Sequence, residues 1–266
     1  MSNYLFDIET VIDPAVEERL KVAFKEERFE LKPLYGKYTV KDVEEWAKRK
    51  PTEKSCQLMK SQEEGLDKPR SGAIKTLNDE IKRCQSGIPD KWLVAPELQR
   101  IVCIGSSDGF DGEVEVDSYD GSDIGSKSHS EWEAEAVNRF YQSLIGKRLF
   151  GWNILNFDLP VMMLIAARNN IERTRVYNLS SFKGVESNVV DVMKARDSRN
   201  YKGLRASALA VGMPVNIDEM DPLGSGSKVS EAIKTKEGRV SIAKHCMVDI
   251  TRLQYTCRAY DGLFFS

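Results

Sequence analysis

Asp7 and Glu9 lie inside the first apolar run of the chain, NYLFDIET from Asn3 to Thr10. The run reads as a β-strand, in which alternate side chains share a face, so Tyr4, Phe6 and Ile8 point one way and Leu5, Asp7 and Glu9 the other. Neighbouring carboxylates on a half-buried strand repel each other and lose hydration, which is costly unless a cation or a set of donors compensates. A metal ion would supply that cation. The plain alternative is a strand edge whose acids stay solvated.

Other acids stand beside apolar structure. Asp158, in GWNILNFDLP, follows an expected strand and directly precedes an expected helix, where Asp is a favoured N-cap and Pro160 suits the first turn. His245 and Asp249, in HCMVD, are stacked one turn apart on an amphipathic helix, at the margin of an apolar face made by Ile250, Leu253, Cys257 and Tyr260. Taken alone they read as a surface His–Asp contact. Asp191, in NVVDVMKAR, reads as an N-terminal helix residue or a group behind the ligands rather than a ligand. His129 reads as a surface residue, and DSYDGSD as a turn, because it lacks the acid spacing and late Glu of a calcium loop.

The elements that must position these residues follow from periodicity. QRIVCIGSS and EVEVDSY, joined by DGFDG, read as an antiparallel hairpin. SEWEAEAVNRFYQSLI has helical period and a capping-box start at Ser130 and Glu133, and KRLFGWN returns to strand. DLPVMMLIAARNN, NVVDVMKAR, LRASALAVGM and RVSIAKHCMVDITRLQYTCRAY read as helices, with a Gly/Ser loop at DPLGSGSK. Strands first and helices later argue for an α/β or α+β sandwich on one mixed sheet. Between residues 13 and 95 lies a highly charged stretch with helix-like pieces (PAVEERLKVAFKEERFEL, KDVEEWAKRK, GAIKTLNDEIKRC), expected to be a helical insertion in a single domain spanning 1–266. A connection this long is often functional, so a substrate clamp or a protein contact is expected of it.

A chain of 266 residues that is 41% hydrophobic can bury one substantial core. No run approaches the roughly 18 apolar residues of a membrane span, and the N-terminus lacks the form of a secretion signal. A cytoplasmic setting without a membrane partner is expected. The cysteines, Cys56, Cys84, Cys103, Cys246 and Cys257, are odd in number and never form C-x-x-C, which argues against a disulfide framework or a zinc cluster. A net charge of −2 gives no global nucleic-acid signature. Locally, Lys194, Arg196, Arg199, Lys202 and Arg205 could track a phosphate backbone or form a solvated face.

In order, the chain carries Asp-x-Glu on its first strand, Asn-x-x-x-Phe-Asp-x-Pro at a strand-to-helix junction and His-x-x-x-Asp on its last long helix. This resembles the DEDD superfamily of 3′–5′ exonucleases, on the ribonuclease H-like fold. APELQRIVCIG, GWNILNFDLPVMMLIAARNN and HCMVDITRLQY look like the predicted exonucleases related to the proofreading domain of family B DNA polymerases. The resemblance leaves 13–95 unaccounted for.

It implies a ribonuclease H-like α/β sheet flanked by helices, and a metal-dependent 3′–5′ exonuclease acting on single-stranded DNA ends. Asp7, Glu9, Asp158 and Asp249 would hold two Mg²⁺ or Mn²⁺ ions, hard cations suited to oxygen ligands. By the same resemblance, Asp7 would bridge the ions and His245 would take the proton from the attacking water. In the family's His branch the gap between His and Asp is one residue longer, and the gap found here belongs to its Tyr branch. Ile8, Thr10, Asn153 and Phe157 occupy positions that touch the substrate strand, with packing or capping as their alternative roles. An exoribonuclease of the same fold, or a non-catalytic nucleic-acid-binding or polymerase-accessory module with a replication or repair partner, are the other readings. Oligomeric state is left open.

Overall fold

The computed structural model describes residues 2–25, 95–171, 188–196 and 203–264. The chain divides into two units, Met1–Pro14 with Val94–Ser266, and Ala15–Leu93. Of the second unit, the described residues lie in helix α1 (Pro14–Lys25). The other helices expected between 13 and 95 lie outside the described residues.

In the first unit, β1 (Ser2–Ile12) is the central strand of a five-stranded sheet. It pairs antiparallel with β2 (Gln99–Asp108), which pairs antiparallel with β3 (Val114–Ser118). On its other side it runs parallel to β4 (Lys147–Gly151), which runs parallel to β5 (Val189–Asp191). The order is β3-β2-β1-β4-β5, a mixed sheet flanked by helices, and this α/β fold is consistent with a ribonuclease H-like arrangement.

The alternation in β1 separates two cores. Tyr4, Phe6 and Ile8 pack with α2 (Lys127–Ser143) and α3 (Asp158–Arg168), through residues such as Val137, Phe140, Leu159 and Ile165. Leu5 packs on the opposite face with Phe150, Val190, Leu253 and Cys257, and Val11 joins Ile242 and Cys246 there. The helix on that face, α8 (Lys236–Phe264), is the longest described element. Short helices α4 (Val192–Arg196), α5 (Leu204–Ala210), α6 (Val215–Asp218) and α7 (Val229–Ala232) precede it. A register shift between Glu9 and Thr10 leaves Val102 as an extra residue on β2, so Val102 and Cys103 both reach the α8 core.

Gly105 lies directly opposite Asp7 in the β1–β2 ladder. A Cβ there would stand 2.8 Å from Cys246 Sγ and 2.8 Å from Ile250 Cγ1. The missing side chain lets α8 settle onto the sheet beside the acids.

Some sequence expectations are corrected. NVVDVMKAR is not one helix: Val189–Asp191 is a strand and the helix starts at Val192. Val189 and Val190 are buried on opposite faces, and so short a parallel strand shows no period of its own. The helix read from Ser130 begins at Lys127, capped by Ser126, whose hydroxyl accepts from the His129 N–H at 3.1 Å. Glu133 instead accepts from the Ile101 N–H at 2.8 Å and pairs with Arg100 at 3.0 Å. His129 is fully buried, its Nε2 2.8 Å from the Ile101 carbonyl oxygen.

Candidate metal centre

Asp7 and Glu9 reach toward α8 because they share the Leu5 face of β1. Glu9 is buried and Asp7 half-buried. Among the described residues neither carboxylate accepts a hydrogen bond. Burial holds the Asp7 carboxyl well above the usual carboxylate range, and the charges of Glu9, Asp158 and Asp249 raise it further. Glu9 is raised well above its range by burial, then by Asp249, Asp158 and Asp221. The charges of Asp158 and Asp249 act on both β1 acids.

Asp158 arrives from the loop after β4. Asp191, fully buried at the end of β5, gathers that loop by accepting from the N–H groups of Asn153 at 3.1 Å, Leu155 at 3.3 Å and Lys194 at 3.2 Å. Asn153 has φ of 61°, a left-handed conformation that Asn tolerates better than most residues. The loop delivers Asp158 as the first residue of α3, after Phe157 as N-cap. Asp158 is therefore not the cap that its position before Pro160 suggests. Burial pushes its carboxyl to about 7, with the backbone N–H groups of Asp158 and Ile8 opposing and Asp191 adding to the rise.

Helix α8 supplies His245 and Asp249, one turn apart. His245 is buried, so the pair is not a surface contact. Its Nε2 faces Glu9 Oε1 at 3.5 Å and Asp249 Oδ2 at 3.7 Å, while its Nδ1 lies 2.8 Å from Asp221 Oδ1. Burial works to raise the Asp221 carboxyl, but the Gly224 N–H, the His245 ring and Arg252 outweigh it and hold the group below the usual range. An ionised carboxylate only accepts, so Nδ1 carries the proton and the Nε2 lone pair is turned toward Glu9 and Asp249 when the ring is neutral.

Arg252, one turn further along, is buried and joins three acids. Nη1 lies 2.5 Å from Asp249 Oδ1 and 2.9 Å from Asp221 Oδ2, and Nη2 lies 2.6 Å from Asp218 Oδ1. Asp218 also takes Arg205 at 2.6 Å. Burial raises the Asp249 carboxyl, with His245 and Arg252 pulling it back.

The structure thus brings the donor atoms of Glu9, His245 and Asp249 within 4.8 Å of one another, and sets Asp7 and Asp158 near enough for their charges to couple with Glu9 and with each other. The other residues expected to touch a substrate each have a partner within the fold. Ile8 is buried in the α2–α3 core on the opposite face. Thr10 donates to Gln99 Oε1 at 2.9 Å, Asn153 Oδ1 accepts from Asn156 at 2.8 Å, and Phe157 packs against the α2–α3 core. Of the basic cluster, Lys194 donates to Asn156 Oδ1 at 2.9 Å and Arg205 is bound to Asp218. Arg199, Lys202 and the Arg196 side chain lie outside the described residues, as do Cys56 and Cys84.

Asp221, Asp218 and Arg252 are residues of the site that sequence reasoning passed over. Arg252 shares the helix face of His245 and Asp249 by spacing, a legible signal. Asp221 opens a D-P-L-G turn and accepts from the Leu223 and Gly224 N–H groups at 3.0 and 2.9 Å, but nothing in the turn points to a histidine 24 residues on.

No protein-family model matches the chain, and no curated protein matches it. Among solved structures, it is similar to the family B DNA polymerase from the hyperthermophilic archaeon Pyrobaculum calidifontis, with a TM-score of 0.47 and 17% identity. The match covers 62% of this chain and 22% of that one. Among the described residues, no helix is long and apolar enough to cross a membrane.

Proposed function

We propose that this protein is a metal-dependent phosphodiester hydrolase that trims single-stranded DNA from its 3′ end. The observation that carries this reading is the convergence of Asp7, Glu9, Asp158 and Asp249, with Asp7 and Glu9 accepting no hydrogen bond among the described residues. Such an assembly of oxygen donors, short of positive charge, fits hard divalent cations such as Mg²⁺ or Mn²⁺. When bound, two such ions supply Lewis-acid stabilisation of the attacking and leaving oxygens of an in-line displacement. The 3′ polarity and the choice of DNA rest on the sequence resemblance alone.

The chain's own residues divide the work. By the sequence resemblance, Asp7, Glu9 and Asp249 would hold one cation and Asp158 would serve the other, and the charges of Glu9, Asp158 and Asp249 all act on Asp7. Arg252 holds Oδ1 of Asp249 and leaves Oδ2 turned to the site. Asp191 fixes the loop that carries Asp158. The 13–95 segment, as an insertion, would contact the strand or a replication or repair partner.

A time course on 5′-labelled single-stranded DNA tests this, with wild type and Asp7→Ala each in Mg²⁺, Mn²⁺ or chelator. A descending ladder from wild type alone, lost in chelator, is expected. No ladder under any metal would overturn the reading in favour of a binding module. A matched RNA oligonucleotide degraded faster than DNA would reassign the substrate.

A further inference from the structure

We propose that His245 is itself a metal ligand, and that Glu9, His245 and Asp249 form a position selective for borderline transition-metal dications such as Mn²⁺, Co²⁺ or Zn²⁺ over Mg²⁺. This rests on the reading of the acids as a metal centre. It replaces the role of proton acceptor that the sequence resemblance implies for His245.

His245 Nε2 stands 3.5 Å from Glu9 Oε1 and 3.7 Å from Asp249 Oδ2. N–H···O hydrogen bonds run at about 2.7–3.2 Å, so neither contact is one. Donors that share an ion, each about 2.0–2.2 Å from it, are held apart by separations of this size. All three donor atoms lie within 4.8 Å of one another.

The other side of the ring is held as well. Asp221 Oδ1 at 2.8 Å fixes Nδ1 as the protonated nitrogen. A carboxylate behind a histidine, turning its free nitrogen to a cation and raising its basicity, is the usual support of a metal-bound imidazole. Asp221 is itself pinned by Leu223, Gly224 and Arg252, so the ring has little freedom to swing toward a substrate.

Glu9 is only 7% exposed, yet its carboxylate takes no hydrogen bond among the described residues. Asp249 divides its oxygens, Oδ1 to Arg252 and Oδ2 to the space shared with Nε2. His245 is 3% exposed, which gives it poor access to a substrate's water but suits a ligand.

Donor chemistry sets the metal class. Mg²⁺ favours oxygen donors and retained waters, whereas imidazole nitrogen favours Zn²⁺ and its transition-metal neighbours. One nitrogen among carboxylates moves the balance toward the latter without excluding Mn²⁺.

The chain has only two histidines, which makes a direct test possible on the unaltered protein. In ¹⁵N-histidine-labelled full-length chain titrated with Zn²⁺, the His245 Nε2 resonance should move to a metal-bound position. His129, whose Nε2 is bound to the Ile101 carbonyl, should stay as an internal control. Calorimetry should show His245→Ala losing Mn²⁺ and Zn²⁺ affinity by at least the roughly 10–100-fold that follows loss of an outer partner, with Mg²⁺ affinity changed far less. If Zn²⁺ binds and Asp249→Ala abolishes binding while neither histidine resonance moves, the proposal is overturned and the acid metal centre stands. Wild type that binds no dication overturns both.

Discussion

Asp158 offers the most quantitative test of the charge arrangement. In metal-free protein its carboxyl is pushed by burial from the ordinary 3.8 to about 7. The folded state therefore binds more protons than the unfolded chain between those values, and stability falls as pH rises through that window. At about 1.4 kcal/mol per pH unit, ionising this group in the fold costs on the order of 4 kcal/mol above pH 7, but only about 1–2 kcal/mol at pH 5. Asp158→Asn keeps the shape and an acceptor for the Ile8 N–H while removing the charge. In chelator, the variant should gain on wild type by about 2–3 kcal/mol between pH 5 and pH 8.

Urea denaturation of both proteins with chelator present, at several pH values across that range, measures it. The difference between the two curves is the useful quantity, because groups not coupled to Asp158 cancel, while Asp7 and Glu9, which its charge raises, add to the gain of the variant in the same direction. Burial lowers the pKa of His129, so its contribution to stability grows as pH rises through its unfolded value, and Glu133, pushed by burial to about 6, works the opposite way; both remain in each protein. A stability difference that stays flat from pH 5 to 8, or a variant less stable than wild type at pH 8, would refute the account of Asp158 as a buried, uncompensated acid.

Arg252→Met should destabilise by about 3–5 kcal/mol, the usual cost of leaving buried charges without their partner, because Asp218, Asp221 and Asp249 all depend on this guanidinium. Chemical denaturation at pH 7 reads it, and a loss below about 1 kcal/mol, the scale of a surface pair, would contradict the network. Gly105→Ala places a methyl 2.8 Å from Cys246 Sγ and Ile250 Cγ1 and should cost about 1–3 kcal/mol by overpacking. It should weaken divalent-metal affinity as well, since α8 must move off Asp7; unchanged affinity by calorimetry would separate helix seating from the site.

Much of the fold was legible because local pattern and global layers agree. The alternation in β1 is the division between its two cores, with Phe6 on one side and Leu5 on the other. The β2–β3 hairpin and the long α8 follow from turn residues and helical spacing. What escaped reading depends on partners distant in sequence. β5 is a strand because β4 lies beside it, and His129 is buried because Arg100 and the Ile101 carbonyl meet it there. The neighbourhood of Glu9, His245 and Asp249 was anticipated from their order along the chain, but Asp221 was not, since only the fold sets a D-P-L-G turn behind a helix histidine.

The network behind the acids raises a question of energetics. A buried guanidinium among three carboxylates is weak evidence of stability, because desolvation offsets most of the attraction, and apolar replacements are often as stable. Its effect here is on orientation. Arg252 ties α8 to the segment carrying Asp218 and Asp221, and so fixes the rotation of the helix about its own axis. A turn of one residue, about 100°, would carry His245 and Asp249 off the face of β1 altogether. A core of Ile242, Cys246, Leu253 and Cys257 specifies that rotation only loosely, since apolar contacts are non-directional. The directional bonds of Arg252 and of Asp221 to His245 specify it closely, at the point where the donors must converge. The same bonds leave the β1 acids without a hydrogen-bond donor among the described residues, so the fold orders this acidic cluster without neutralising it.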